Sequence, residues 1–216
     1  MLFVKTFVFN PFQENTYVLF DETKECAIVD PGCYEPDEKE ELMDFISHEG
    51  LRVTQLLNTH CHVDHVLGNS FIKHKFNVGL QIHAKDEPTL KAVKIYSSNY
   101  GFHHYEEATP DSYLEEGDQV SLGSQKLDVL FVPGHAPGHI AFYHAKDKIL
   151  IGGDVLFYNS IGRTDLPGGN FDTLIDSIHK KLFTLPDDVK VYPGHGPQTT
   201  IGFEKKTNPF CALTPH

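Results

Sequence analysis

The 216-residue sequence predicts a layered α/β sandwich held in a single domain, and three observations carry that expectation. Strand-like runs fall in two batches separated by helical patterns, which suits two packed sheets better than a βα barrel or a doubly wound sheet. Residues 51–57 form a nearly continuous apolar run, the pattern of a strand buried on both faces. No internal repeat, low-complexity tract or linker divides residues 1–216.

Taken in order, residues 2–9, 15–20 and 26–29 are short β-branched and aromatic runs separated by turn-forming segments, and they read as an antiparallel meander. Asp30-Pro31-Gly32 ends the third run. Residues 36–48 carry acidic residues at the front and Leu42, Phe45 and Ile46 on one face, which predicts a helix closed by Gly50. After strand 51–57, residues 66–75 are expected to be helical, 78–83 a short strand, and 86–97 a helix opened by Asp86, Glu87 and Pro88. The polar and aromatic stretch 98–118 has no clear period and is expected to be a loop over one face. Strands at 126–132, 140–144 and 148–151, a helix at 171–183, a strand at 189–192 and a short helix near 200–206 complete the chain.

The composition, 40% hydrophobic and 22% charged, is that of a globular protein. A net charge of −12 argues against nucleic-acid binding through a broad basic surface. It leaves anionic small molecules open, because bound divalent metals reverse the potential locally. Cys26, Cys33, Cys61 and Cys211 form no C-x-x-C pair and no dense framework, so a cytoplasmic chain with reduced thiols is expected. The opening residues alternate like a strand and lack the long apolar core of a leader peptide. No apolar run approaches the roughly 20 residues that span a bilayer, so no membrane association is expected.

Residues 58–65 read Asn-Thr-His-Cys-His-Val-Asp-His, placing His60, His62, Asp64 and His65 within six positions. Neutral imidazole and carboxylate are the usual ligands of zinc and other first-row metals. Cys61, between two of them, is expected to be a small space-filler turned away from the metal. Three more candidates sit where strands end beside glycine: His135 in Pro133-Gly134-His135, Asp154 in Gly152-Gly153-Asp154, and His195 in Pro193-Gly194-His195. A tetrahedral structural zinc needs four ligands, so seven over-supply one metal. Two metals sharing one carboxylate use all seven and leave room for water, which is a catalytic arrangement.

These strings, with Asp30-Pro31-Gly32, resemble the metallo-β-lactamase superfamily across residues 15–210. The resemblance implies a four-layer αββα sandwich. It implies one metal on His60, His62 and His135, a second on Asp64, His65 and His195, Asp154 as the bridge, and Asp30 orienting the ligands. Within the superfamily the chain resembles the short glyoxalase II-like hydroxyacylglutathione hydrolases, through Ser160-Ile161-Gly162-Arg163-Thr164-Asp165, Gly194-His195-Gly196-Pro197 and Asn208-Pro209-Phe210. That resemblance implies hydrolysis of a small-molecule thioester such as S-lactoylglutathione by a metal-bridging hydroxide, with Asp64 orienting the nucleophile. The two ions would be divalent, zinc first, with iron or manganese also compatible with these ligands. Arg163 would contact the glutathione, the bland alternative being a surface ion pair with Asp165.

Two features depart from that pattern. Full-length glyoxalase II carries extra helices between the last histidine motif and Asn-Pro-Phe, where this chain has only residues 196–207. A family arginine after Asn-Pro-Phe is replaced by Cys211 and Ala212. A second activity also fits the Gly-Arg-Thr-Asp string: a glutathione persulfide dioxygenase using one iron on His60, His135 and Asp154. The form Gly194-His195-Gly196-Pro197 favours the hydrolase. His139 is expected to pack near the site rather than ligate, and His103 and His104 to lie on a solvated loop.

Overall fold

In the computed structural model, residues 1–213 are described, and they build two six-stranded sheets stacked face to face. The first half runs β1 (Phe3–Phe9), β2 (Glu14–Phe20), β3 (Glu25–Val29), α1 (Pro36–His48), β4 (Arg52–Leu57), α2 (Val63–Val66), α3 (Asn69–Phe76), β5 (Leu80–Ile82), α4 (Glu87–Tyr96) and β6 (Ser112–Tyr113). The second half runs β7 (Gln119–Leu122), β8 (Gln125–Phe131), β9 (Ile140–His144), β10 (Ile149–Gly153), β11 (Leu156–Phe157), β12 (Ser160–Ile161), α5 (Phe171–Lys180), β13 (Lys190–Pro193), β14 (Thr199–Thr200) and α6 (Ile201–Thr207). One sheet has the order β1-β2-β3-β4-β5-β6 and the other β14-β13-β10-β9-β8-β7. The predicted meander is there: β1 pairs with β2 and β2 with β3, all antiparallel. Beyond β3 the first sheet turns parallel, with helices as crossovers.

Three separate cores show why the layers number four. Tyr17, Leu19, Ala27 and Val29 from the first sheet meet Val129, Phe142 and Ile151 from the second, filling the space between the sheets. Their neighbours along the strands point the other way, as the pleat requires. Val18, Ile28 and Leu56 pack outward against Leu42 and Ile46 of α1, Ile72 of α3 and Leu90 of α4. On the far side, Ala141, Leu150 and Val191 pack against Leu174 and Ile178 of α5 and Ile201 of α6. A strand buried on both faces needs apolar residues at every position, and β10 (Ile149–Gly153) has all five residues buried.

Local chemistry sets the helix ends. Glu35 and Glu38 form a reciprocal capping box at the start of α1. Asn170 accepts from the Thr173 amide at 2.8 Å to open α5, and Thr200 caps α6 in the same way. The expected helix over 66–75 is instead two, α2 and α3, broken around Gly68, whose added Cβ would run into Pro31 and Cys33. Five strands lie outside the expected set, three of them the two-residue strands β11, β12 and β14. β6 sits inside the stretch read as loop, and β7 alternates exposed and buried over four residues, too short to stand out by period. No helix among the described residues is long and apolar enough to cross a membrane.

Candidate metal centre

The sheet ends bring together all seven residues singled out above. His60, His62, Asp64 and His65 follow β4, His135 follows β8, Asp154 follows β10, and His195 follows β13. Ligand atoms of His60, His62 and His135 lie within 4.8 Å of one another, and so do those of Asp64, His65 and His195. Asp154 stands between the two groups. Its Oδ1 is 3.5 Å from His65 Nε2, and its Oδ2 is 3.5 Å from both His135 Nε2 and His195 Nε2. Asp64 Oδ2 is 3.1 Å from His195 Nε2.

Backbone contacts between the sheets hold these loops in register. The Ile140 amide donates to the Thr59 carbonyl at 2.8 Å, and the Asn15 amide to the Gly194 carbonyl at 2.7 Å. Tyr17 Oη donates to the Pro193 carbonyl at 2.6 Å. Glycine at 194 is a steric need, since a Cβ there would overlap the Asp154 carboxylate.

The hydrogen-bond network assigns the histidine tautomers. His135 Nδ1 donates to the Arg163 carbonyl at 2.8 Å, and His195 Nδ1 to the Phe12 carbonyl at 3.1 Å. His65 Nδ1 donates to Asp30 Oδ2 at 3.2 Å. Thr59 Oγ1 gives its own proton to Asp30 Oδ2 at 2.6 Å and accepts from His60 Nδ1 at 3.0 Å. Each of these four rings therefore turns the lone pair of Nε2 inward. His60 Nε2, His65 Nε2 and Asp154 Oδ1 are buried without a hydrogen-bond partner, while His62 Nδ1 donates to His135 Nε2 at 2.9 Å. Buried acceptors left without a donor are costly unless a cation sits among them. The donor set therefore fits divalent metal ions.

Charge follows the same division. Burial, reinforced by neighbouring imidazoles, holds His60 well below its ordinary pKa and pushes His62 down to about 3. At His65 burial works in the same direction, but the Asp64 and Asp154 carboxylates outweigh it and raise the ring well above its ordinary value.

Asp30 also comes within 4.8 Å of His60 and His65. Its carboxylate, however, is filled by the Thr59 amide at 2.7 Å, Thr59 Oγ1 and His65 Nδ1. It therefore braces Thr59 and His65, from a left-handed backbone at φ 50°. Cys61 lies in the core beneath the helices, outside the ligand groups. His139 Nε2 accepts from the Asp154 amide at 3.0 Å while its ring stacks on His60 at 4.7 Å. His103 and His104 lie on the exposed loop.

Two buried carboxyls escaped the sequence reading. Asp86 accepts from the backbone amides of Cys61 and Gly138, tying the His60–His62 loop to the turn after His135. Glu14 is wholly buried, with Oε1 unpartnered 3.8 Å from His65 Nδ1. The only sequence signal at Asp86 was its place at a helix start, and Glu14 had none.

The site forms the floor of a cavity of about 930 Å³, walled by Phe12, Ala92, Tyr96 and Phe157 and reached by Lys85 and Arg163. The Arg163 guanidinium is held in a two-pronged ion pair with Asp165, at 2.7 Å on each prong.

The sequence profile of the metallo-beta-lactamase superfamily matches residues 9–195. Hydroxyacylglutathione hydrolase GloC of Haemophilus influenzae is 39% identical over 201 residues, covering 92% of this chain and 93% of that protein. The mitochondrial persulfide dioxygenase ETHE1 of Homo sapiens is 31% identical over 204 residues, covering 92% of this chain and 72% of its own. Among solved structures, the BLEG-1 B3 metallo-beta-lactamase aligns with a TM-score of 0.87 at 37% identity, over 97% of this chain and 99% of its own. TTHA1623 in a di-iron-bound form aligns at 0.86 and 36% identity, over 96% of this chain and 100% of its own. With its two stacked sheets, a histidine and aspartate cluster at their ends and a profile match over most of its length, this chain belongs to the metallo-β-lactamase superfamily.

Proposed function

We propose that the protein is a dinuclear metal-dependent hydrolase of a glutathione-type thioester such as S-lactoylglutathione. The observation that carries this reading is the placement of Asp154, with one oxygen toward His65 and the other toward His135 and His195. His60, His62 and His135 would hold one ion and Asp64, His65 and His195 the other, with Asp154 reaching both. Zinc suits these ligands, and the di-iron neighbour keeps iron beside it as a candidate. A bound pair of ions supplies a polarised substrate carbonyl and water acidic enough to ionise near neutral pH.

The chain's own groups do the rest. Asp30 and the Phe12 and Arg163 carbonyls fix His65, His195 and His135 by their Nδ1 protons, so the rings need no reorganisation during turnover. Asp64 lines the cavity, where its carboxylate orients the attacking water. Arg163 offers a cation to an anionic group on the thiol half of the substrate. The substrate class draws its support from the GloC relative.

The persulfide dioxygenase is the second reading, kept by the ETHE1 relative. It needs only His60, His135 and Asp154 as a two-histidine, one-carboxylate triad, and leaves the convergence of Asp64, His65 and His195 without a purpose. Parallel assays of metal-loaded protein separate the two. Glutathione release from S-lactoylglutathione without oxygen uptake is the expected result. Oxygen consumption with glutathione persulfide and no thioester hydrolysis would overturn the hydrolase in favour of the dioxygenase.

A further inference from the structure

The cavity above the metal centre is larger than a lactoyl group needs, at about 930 Å³ near the upper end for small-molecule sites. One wall is built by a single face of α4 and the turn before it. Lys85, Pro88, Thr89, Ala92 and Tyr96 all line it, spaced by three, one, three and four residues, which keeps them on one helical stripe. At 1.5 Å per residue the stripe runs about 16 Å. Its aromatic end continues outward: Tyr96 meets Tyr100 edge-on at 5.9 Å, and Tyr100 meets Phe12 at 5.6 Å. Phe12 and Tyr100 are both exposed, so this arc presents apolar surface to the cavity mouth that a ligand's carbon skeleton would cover.

The cations of the cavity are not equal. Arg163 is shared with Asp165 in an exposed ion pair. Lys85 has no carboxylate within ion-pair distance among the described residues, and its ammonium lies 4.8 Å from the Phe131 ring. In a chain of net charge −12, it is the uncompensated positive charge on the route to the metals.

We propose that Lys85 is a specificity-determining residue that pairs with a carboxylate of the substrate, while the α4 stripe from Pro88 to Tyr96 and the arc of Tyr100 and Phe12 cover the substrate's apolar part. This inference rests on the thioester reading above, and it selects thioesters carrying a carboxylate and an apolar arm over small neutral ones. The carboxylate can belong to the thiol half, as in glutathione, or to the acyl half.

Two measurements on the metal-loaded protein test it. The first is calorimetric binding of S-hexylglutathione, a thioether that cannot be hydrolysed, and of its diethyl ester, which lacks both carboxylates. Wild type should prefer the free acid, and Lys85→Ala should weaken the free acid about fivefold while leaving the diester unchanged. Lys85→Arg should restore most of the loss. Lys85 is exposed, so these substitutions leave the fold intact. The second measurement is kinetic, with neutral acyl groups on glutathione set against carboxylate-bearing acyl groups on neutral N-acetylcysteamine. A rise in KM without change in kcat, confined to one series, shows which half of the substrate carries the anion. Equal binding of S-hexylglutathione to wild type and Lys85→Ala together with an unchanged KM in both kinetic series would overturn the inference, as would an equal loss for acid and diester. If binding depends on Lys85 yet no thioester is turned over, the hydrolase reading fails, while Lys85 keeps its place as the contact for a ligand carboxylate.

Discussion

The floor of the cavity and its mouth are built on opposite terms. On the floor, His60 and His65 are buried, and the second nitrogen of each ring is spent on a partner that is itself anchored, Thr59 for one and Asp30 for the other. At the mouth, Arg163 and Asp165 are 60% and 68% exposed at the side chain, and Phe12 and Tyr100 lie open. The floor is braced because the inward Nε2 lone pairs of His60, His65, His135 and His195 are each aimed by a donor bond on the far side of the ring. The mouth is held only by exposed aromatic contacts and a solvent-screened ion pair. Reaction class therefore belongs to the floor and substrate choice to the mouth, and substitutions in the two regions should fail in different ways.

The largest effect is expected on the floor. His62→Ala should remove a ligand from one metal group and cost several kcal/mol of transition-state stabilisation, about a thousandfold in kcat for S-lactoylglutathione. Steady-state kinetics on the variant check this. A variant that keeps near-parental hydrolysis would place His62 outside the reaction, as the mononuclear triad requires.

A smaller effect, also on the floor, is set by protons. Asp64 and Asp154 raise the metal-free His65 well above its usual value near 6.5, so a metal entering there displaces a proton. Metal affinity should then rise about tenfold per pH unit up to the raised pKa. The sign for stability follows. Protonated His65 stabilises the metal-free fold fully below about 6.5, and that contribution is lost as pH rises through the raised value. The gap in Tm between metal-loaded and metal-free protein should accordingly widen with pH. Competitive metal titrations and thermal melts across the neutral range test it, and a gap that narrows would contradict the assignment of His65 as a ligand.

At the mouth the expectation is smallest. Arg163→Ala should raise KM about fivefold and leave kcat unchanged, because the side chain is exposed and already shared with Asp165. A fall in kcat would mean that the Arg163 carbonyl, which holds His135, had moved with the side chain, and the division between floor and mouth would blur.

The same division explains what could be read from the amino acids. His135, Asp154 and His195 sit beside glycines at strand ends and His60 lies in a histidine-rich octet, so these candidates announced themselves through short local strings. The two batches of strands likewise foretold the paired sheets, but residues 51–57, expected to be buried on both faces, form β4 with Arg52 exposed and Thr54 and Gln55 half-buried, and the strand buried throughout is β10. Asp86 and Glu14 were opaque, since each acts on residues distant in sequence: Asp86 on Cys61 and Gly138, Glu14 beside His65. β7 alternates correctly but over only four residues, Gln119 to Leu122, too few for a period to emerge. The wall of α4 was legible as a helix, while the face it turns to the cavity depends on where Asp86 docks it.

The central claim is that two groups of ligands act as one centre through Asp154, and metal stoichiometry at saturation tests it most directly. The account predicts two ions per chain in the wild type and one in His195→Ala, with Asp154→Ala weakening both. A wild-type protein that saturates with a single ion, and binds it equally well in His65→Ala and His195→Ala, would contradict it.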